Sequence, residues 1–170
     1  FGADEPVLVM QPDPVGSDCD GVAVRAADWD RDMAADPMTG RPAGPASHHL
    51  GARRIDHVVV MTPDLTRTCA AAAAVFGEPL KRERDAGHGV RQGFFRLGEV
   101  ILEVVQSPQV PDGPARFWGL VLVVDDLDAV CAALGPEAIG GPRAAVQAGR
   151  RIAIVRTGAG LGCAVALMSD

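Results

Sequence analysis

Apolar residues along this chain fall into short β-rich runs, interleaved with two stretches in which they recur every three or four positions. Residues 56–65 read Asp-His-Val-Val-Val-Met-Thr-Pro-Asp-Leu, and residues 118–127 read Trp-Gly-Leu-Val-Leu-Val-Val-Asp-Asp-Leu. Each is a strand-like run giving way to an acidic helix start. The second follows the first at an offset of 62 positions, which pairs His57 with Gly119. Such self-similarity means that one supersecondary unit is used twice.

Helix signals follow both runs. In the first, Thr62 is the expected cap and Pro63 the first helical residue, with Leu65, Cys69, Ala72 and Phe76 on one face until Gly77. In the second, Asp125 or Asp126 caps, Leu127, Val130, Cys131 and Leu134 form the stripe, and Gly135 ends it. Strands are predicted near residues 80–83, over Val90–Leu97 and over Val100–Gln106 in the first copy. The second copy predicts them near 144–147, over 151–156 and over 163–168, with the Gly158-Ala159-Gly160-Leu161-Gly162 stretch as a hairpin turn. Both halves therefore read β-α-β-β-β. The fold class is α+β, with module one at 51–110 and module two at 115–170 forming one domain over 51–170.

A partial echo lies upstream, where Gly21-Val22-Ala23-Val24-Arg25 and then Asp28-Trp29-Asp30 and Met33 match the start of module two. Beyond Pro37 the segment dissolves into Gly40, Pro42, Gly44 and Pro45, which is linker chemistry. Residues 1–50 are thus expected to be a partial module or extension, with a strand or two and one short helix, ending in a linker.

Composition narrows the partners more than the fold. Hydrophobic residues make up 48% and charged residues 22%, so a core can form without disulfides or a structural metal. The formal net charge is −6, with Lys81 the single lysine, which removes any general attraction to nucleic acid or anionic lipid. No apolar run approaches the roughly 20 residues needed to span a bilayer. No signal-peptide pattern opens the chain, and with no initiator methionine at its head, Phe1 is expected not to be the native start. Cys19, Cys69, Cys131 and Cys163 form no C-x-x-C pair, and the last three, among apolar residues, read as small core hydrophobes, which fits a reduced, cytoplasmic setting.

Strand alternation sets Ile55, His57, Val59 and Met61 on one face, and Ile101, Glu103 and Val105 on one face of another strand. A carboxylate within a run as apolar as residues 100–105 needs a partner. His57, a metal, Arg91 or Arg96 are the candidates. Phe94 and Phe95 point to opposite faces, one to the core and one to a ligand, and Phe95 is assigned to the ligand wall with Trp118, Val59, Val105 and Arg91. Arg53-Arg54 and Arg150-Arg151 read as solvated edge arginines.

Two tandem β-α-β-β-β modules with Arg54-Ile55-Asp56-His57-Val58-Val59-Val60 at a module start resemble the vicinal-oxygen-chelate superfamily. Gly98-Glu99-Val100-Ile101-Leu102-Glu103-Val104-Val105 at a module end and Val124-Asp125-Asp126-Leu127-Asp128 in module two carry the same resemblance. This is the glyoxalase, bleomycin-resistance and extradiol dioxygenase group. The resemblance implies a cup-shaped sheet, a homodimer, and metal ligands on the first and last strands of each module. His57 and Glu103 occupy those positions in module one. In module two the same offset gives Gly119 and Val165, with Cys163 the nearest candidate donor. The expected cofactor is therefore none or a weakly held divalent metal on His57 and Glu103, with a further donor sought from His88, His48, His49 or another subunit.

Three readings of function follow. The first is a glyoxalase-like protein that binds a small molecule without a complete metal site. The second is an isomerase or lyase using Glu103 as general base and His57 as metal ligand or electrophile. The third is an interaction module whose pocket is filled by its own side chains.

Overall fold

The computed structural model describes residues 49–170 throughout, together with the backbone of β1 (Val9–Gln11), β2 (Asp18–Cys19) and β3 (Val22–Arg25). Those three strands make a small antiparallel sheet in the order β1-β3-β2. The short helix expected around residues 28–33 lies outside the described residues.

Module one consists of β4 (Ala52–Thr62), α1 (Leu65–Phe76), β5 (Arg82–Gly87), β6 (Val90–Leu97) and β7 (Val100–Gln106). Module two repeats the order with β8 (Arg116–Val124), α2 (Leu127–Leu134), β9 (Arg143–Ala144), β10 (Arg151–Ile154) and β11 (Ala164–Met168). Eight strands form one mixed sheet in the order β5-β6-β7-β4-β8-β11-β10-β9. In each module the first strand lies parallel to the last, and the two first strands, β4 and β8, join the modules antiparallel. The sheet curls into a half-barrel with two helices, an α+β glyoxalase-like fold.

Helix starts follow the repeat more closely than expected. Asp64, not Thr62, caps α1 by accepting from the Arg67 backbone N–H at 3.0 Å, and Asp126 caps α2 by accepting from Ala129 at 2.9 Å. The two caps stand at the same offset of 62. Pro63 therefore precedes the helix instead of opening it. The Thr62 hydroxyl is turned to a buried contact with the Thr68 hydroxyl, 2.7 Å away, and accepts from the Asp64 backbone N–H.

The convex face of the sheet holds the core in two clusters, one per helix. Val58, Val60, Leu65, Cys69, Ala72, Phe95, Leu102 and Val104 pack under α1, and Val124, Leu127, Val130, Ile139, Ala153 and Leu167 under α2. Each large side chain fully buried there contributes about 1.5–3 kcal/mol. Gly93 lets α1 settle close to the sheet, because a Cβ at that position would stand 2.7 Å from the Cys69 sulfur. The glycine-rich stretch after β10 is a single 3-10 turn, Thr157–Ala159, on the way into β11, so it joins two antiparallel strands as expected.

Candidate functional site

The other face of the sheet is concave and open. A cleft of about 750 Å³ lies on it, floored by β4, β6, β7, β8 and β11 and bordered by residues from β5, β10, β9 and the segment after β9. Its floor carries His57, Gln92, Phe94, Ile101, Glu103, Val121 and Met168. These residues face one way because the pairing aligns them: His57 stands opposite Ile101 and Val121, Phe94 opposite Glu103, and Val59 opposite Glu103. His57 and Glu103 are thus diagonal neighbours across a parallel strand pair, on one face.

Glu103 is half-buried and accepts a hydrogen bond from the Gln92 side-chain amide at 2.6 Å. Burial pushes its carboxyl above the ordinary carboxylate range, against the lowering influence of Gln92 and of the Arg84 charge. The carboxyl in the cleft floor therefore keeps its proton to higher pH than a free glutamate does.

His57 is buried, and Asp56 beside it is 4% exposed. Adjacent residues of a regular strand point to opposite faces, yet the Asp56 carboxylate stands 2.6 Å from His57 Nδ1. The cause is a β-bulge: between Ile55 and His57 the register against β8 advances by one residue while β4 advances by two, which makes Asp56 the extra residue. Asp56 also accepts from Arg54 Nη1 at 2.7 Å and from Arg150 Nη1 at 3.1 Å, while Arg54 reaches Asp170 at 2.7 Å. Arg54 and Arg150 are therefore anchored in a network, not solvated as their place at strand edges suggested. Burial alone would raise the Asp56 pKa, but Arg54, His57 and Arg150 together outweigh it, and the carboxylate lies below its ordinary range. Since an ionised carboxylate only accepts, the proton of a neutral His57 belongs on Nδ1, which leaves Nε2 as an acceptor. Burial depresses the His57 pKa, opposed by Asp56 and reinforced by the charges of Arg150 and Arg96. The Nδ1 contact is electrostatic, without the alignment of a full hydrogen bond.

The remaining sequence candidates distribute as follows. Phe95 adjoins the cleft from within the sheet, but its ring is 1% exposed and packs in the α1 core, so Phe94 is the aromatic wall. Arg91 points away from the cleft floor and pairs with Glu83, its Nε donating at 3.1 Å. Trp118 is 50% exposed at a bulge in β8 and does not border the cleft. Val59 and Val105 share the concave face by register without bordering the cleft. His88 is exposed at the tip of the β5–β6 hairpin with φ 53°, His49 is exposed, and His48 lies outside the described residues. The site residues that sequence reasoning passed over are Asp56, Gln92, Arg82, Arg84 and Arg143.

The donor set does not fit a resident divalent metal. Catalytic zinc takes three protein ligands and harder ions take more. Parallel pairing aligns Gly119 with Ala164 and Val121 with Ala166, so Ala166, not Val165, occupies the place corresponding to Glu103. At Gly119 any Cβ would collide with the Ala164 carbonyl oxygen, so no ligand side chain can project from that position. Among the described residues no group of three or more His, Cys, Asp and Glu side chains could hold a metal ion. Lys81, Arg82, Arg84, Arg96 and Arg143 also border the cleft, and their charge opposes a cation.

Residues 54–146 match the Glyoxalase/Bleomycin resistance protein/Dioxygenase superfamily. The chain belongs to that superfamily. Among solved structures it is similar to methylmalonyl-CoA epimerase from Mycobacterium tuberculosis, with a TM-score of 0.57 and 17% identity over 72% of this chain and 91% of that one. It is also similar to a Streptomyces coelicolor methylmalonyl-CoA epimerase variant in complex with 2-nitronate-propionyl-CoA, with a TM-score of 0.56 and 19% identity over 70% and 95%. A hypothetical protein from Bacillus halodurans gives 0.55 and 14% over 69% and 94%. At such identities the likeness is one of fold. No curated protein matches the chain.

Proposed function

We propose that this chain is a small-molecule-binding member of its superfamily that holds its ligand in the concave cleft, over His57 and Glu103, without a resident metal. The observation that carries this reading is the open cleft of about 750 Å³ with a buried imidazole and a hydrogen-bonded carboxyl in its floor. Pockets for small organic molecules are of this size, mostly apolar, with a few convergent polar groups. The open cleft supports binding over an interaction module whose pocket is filled by its own side chains. The extension-plus-cup division at residue 50, a cytoplasmic setting and a homodimer belong to the same proposal, the last from the habit of the superfamily.

A second reading is supported by the same floor. Glu103, when ionised, can take a proton from carbon beside a carbonyl while an arginine bordering the cleft, or His57 in its protonated form, polarises the oxygen, which makes the chain an isomerase or lyase. Two of the structural relatives named above are methylmalonyl-CoA epimerases. A thermal-shift screen of organic acids, esters and acyl-CoA thioesters tests binding, and hydrogen exchange of each hit in D2O tests proton abstraction. Binding with no exchange supports the first reading. Exchange that disappears in Glu103→Gln supports the second, and absence of any ligand displaced by cleft substitutions contradicts both.

A further inference from the structure

The arginines of this chain are used unequally. Of those described, Arg53, Arg54, Arg91, Arg150 and Arg151 pair with aspartate or glutamate, Arg67 and Arg156 donate to backbone carbonyls, and Arg116, exposed at the start of β8, makes no side-chain hydrogen bond or ion pair among the described residues. Arg82, Arg84, Arg96 and Arg143 border the cleft and make no hydrogen bond or ion pair among the described residues. The acidic excess of the chain lies in residues 1–48, and residues 49–170 carry equal numbers of acidic and basic side chains. Yet Glu99, Asp112 and Glu137 make no ion pair among the described residues while four guanidinium groups stay unpaired in one concavity, so their lack of partners is not a shortage of carboxylates. Alternation in β5 arranges part of this: Arg82 and Arg84 turn to the cleft beside Phe94 and Gln92, while Glu83 turns to the other face and meets Arg91. Arg96 follows on β6, and Arg143 stands on β9 at the opposite end of the sheet. Glu103 is the one carboxylate among the lining residues, and Gln92 already engages it.

We propose that the cleft is an anion clamp: Arg82, Arg84 and Arg96 from module one and Arg143 from module two together hold an organic ligand carrying two or more negative charges, with its uncharged part against Phe94 and Glu103. The inference rests on the concave cleft being the ligand site and adds the chemical class of the ligand. Guanidinium forks suit carboxylate and phosphate groups alike, and convergence from both ends of the sheet suits a ligand with separated charges. A cleft lined by one sign of charge also draws such anions in from solution.

Isothermal titration of the full chain with inorganic pyrophosphate, with citrate and with the uncharged triethyl citrate tests the clamp. Saturable binding of at least one anion is expected, weakened by added salt, and reduced about tenfold in each of Arg84→Gln and Arg96→Gln. Arg116→Gln, which removes an arginine outside the cleft, should leave affinity unchanged. Preference for pyrophosphate or for citrate identifies the anionic group as phosphate or carboxylate, and either supports the clamp. Binding insensitive to the arginine substitutions, or no binding by both anions, overturns it. In that case triethyl citrate bound in the cleft leaves the small-molecule site standing, and silence from the neutral probe and the ligand screen removes that too.

Discussion

Gly119→Ala asks for one methyl group and is expected to be among the most damaging conservative changes in the chain. The added Cβ would overlap the Ala164 carbonyl oxygen and stand 2.8 Å from both the Ala164 carbonyl carbon and its Cβ. No flexible side chain can move aside, because the obstacle is the backbone of the neighbouring strand. Relief requires β8 and β11 to part where Gly119 faces Ala164. One or two ladder hydrogen bonds are then lost at about 1 kcal/mol each, and overpacking adds about 1–3 kcal/mol. The sum is a destabilisation of roughly 2–5 kcal/mol, a large fraction of the 5–15 kcal/mol available to an ordinary domain. Urea unfolding followed by far-UV circular dichroism measures it, with Gly141→Ala as control, since nothing lies within 4 Å of a Cβ there. A Gly119→Ala loss below about 1 kcal/mol, or one equal to the control, would refute the close approach and reopen the module-two position to a metal-ligating side chain.

Other outcomes follow from the charges and caps. Glu103 has a raised pKa in the folded chain, so its contribution to stability is fully present below the unfolded value near 4.5 and is lost as pH rises through the folded value. Glu103→Gln should therefore be more stable than the parent at neutral pH, by thermal melting, and indistinguishable from it near pH 4. His57 is shifted the other way, so its neutral form stabilises the fold above about 6.5 and that contribution fades on acidification. Asp56→Asn removes the charge that holds the His57 pKa up and should drive it lower still in an NMR titration. It should also cost about 2–4 kcal/mol in urea unfolding, because Arg150 and Arg54 lose their shared carboxylate. Cys69, with its thiol pushed up to about 11 by burial, should react with a disulfide reagent only on unfolding. Asp64→Ala and Asp126→Ala should each lose about 1 kcal/mol in the same unfolding assay.

Much of the fold is legible because the repeat and the hydrophobic periods agree. β6 and β7 run over the residues that the pattern predicts, and the pairing of Leu97 with Val100 across a two-residue turn fixes their register. That register also places Phe94 opposite Glu103, so the choice between Phe94 and Phe95 was open to reasoning from the turn. β5 starts two residues and ends four residues later than the pattern predicts, since Arg-Glu-Arg-Asp carries no apolar alternation for a strand to show. Its alternation is one of charge sign, and that is the signal that separates Arg82 and Arg84 from Glu83 and Asp85. β4 begins at Ala52, earlier than its apolar run suggests, because ladder pairing with β8 carries the strand through Arg53, Arg54 and Asp56. His57 and Glu103 stood out as polar residues in apolar runs. Asp56 did not, because a bulge that turns it toward His57 leaves no mark in the residue pattern.

The central claim is that the concave face is where ligand binds, and amide chemical-shift mapping of the leading hit from the screen tests it most directly. Saturable shifts at His57, Gln92, Phe94, Glu103, Val121 and Met168, with α1 and α2 unmoved, are the expected result. Shifts confined to the convex face, or clustered at Phe117 and Trp118 with the cleft floor silent, would contradict the account.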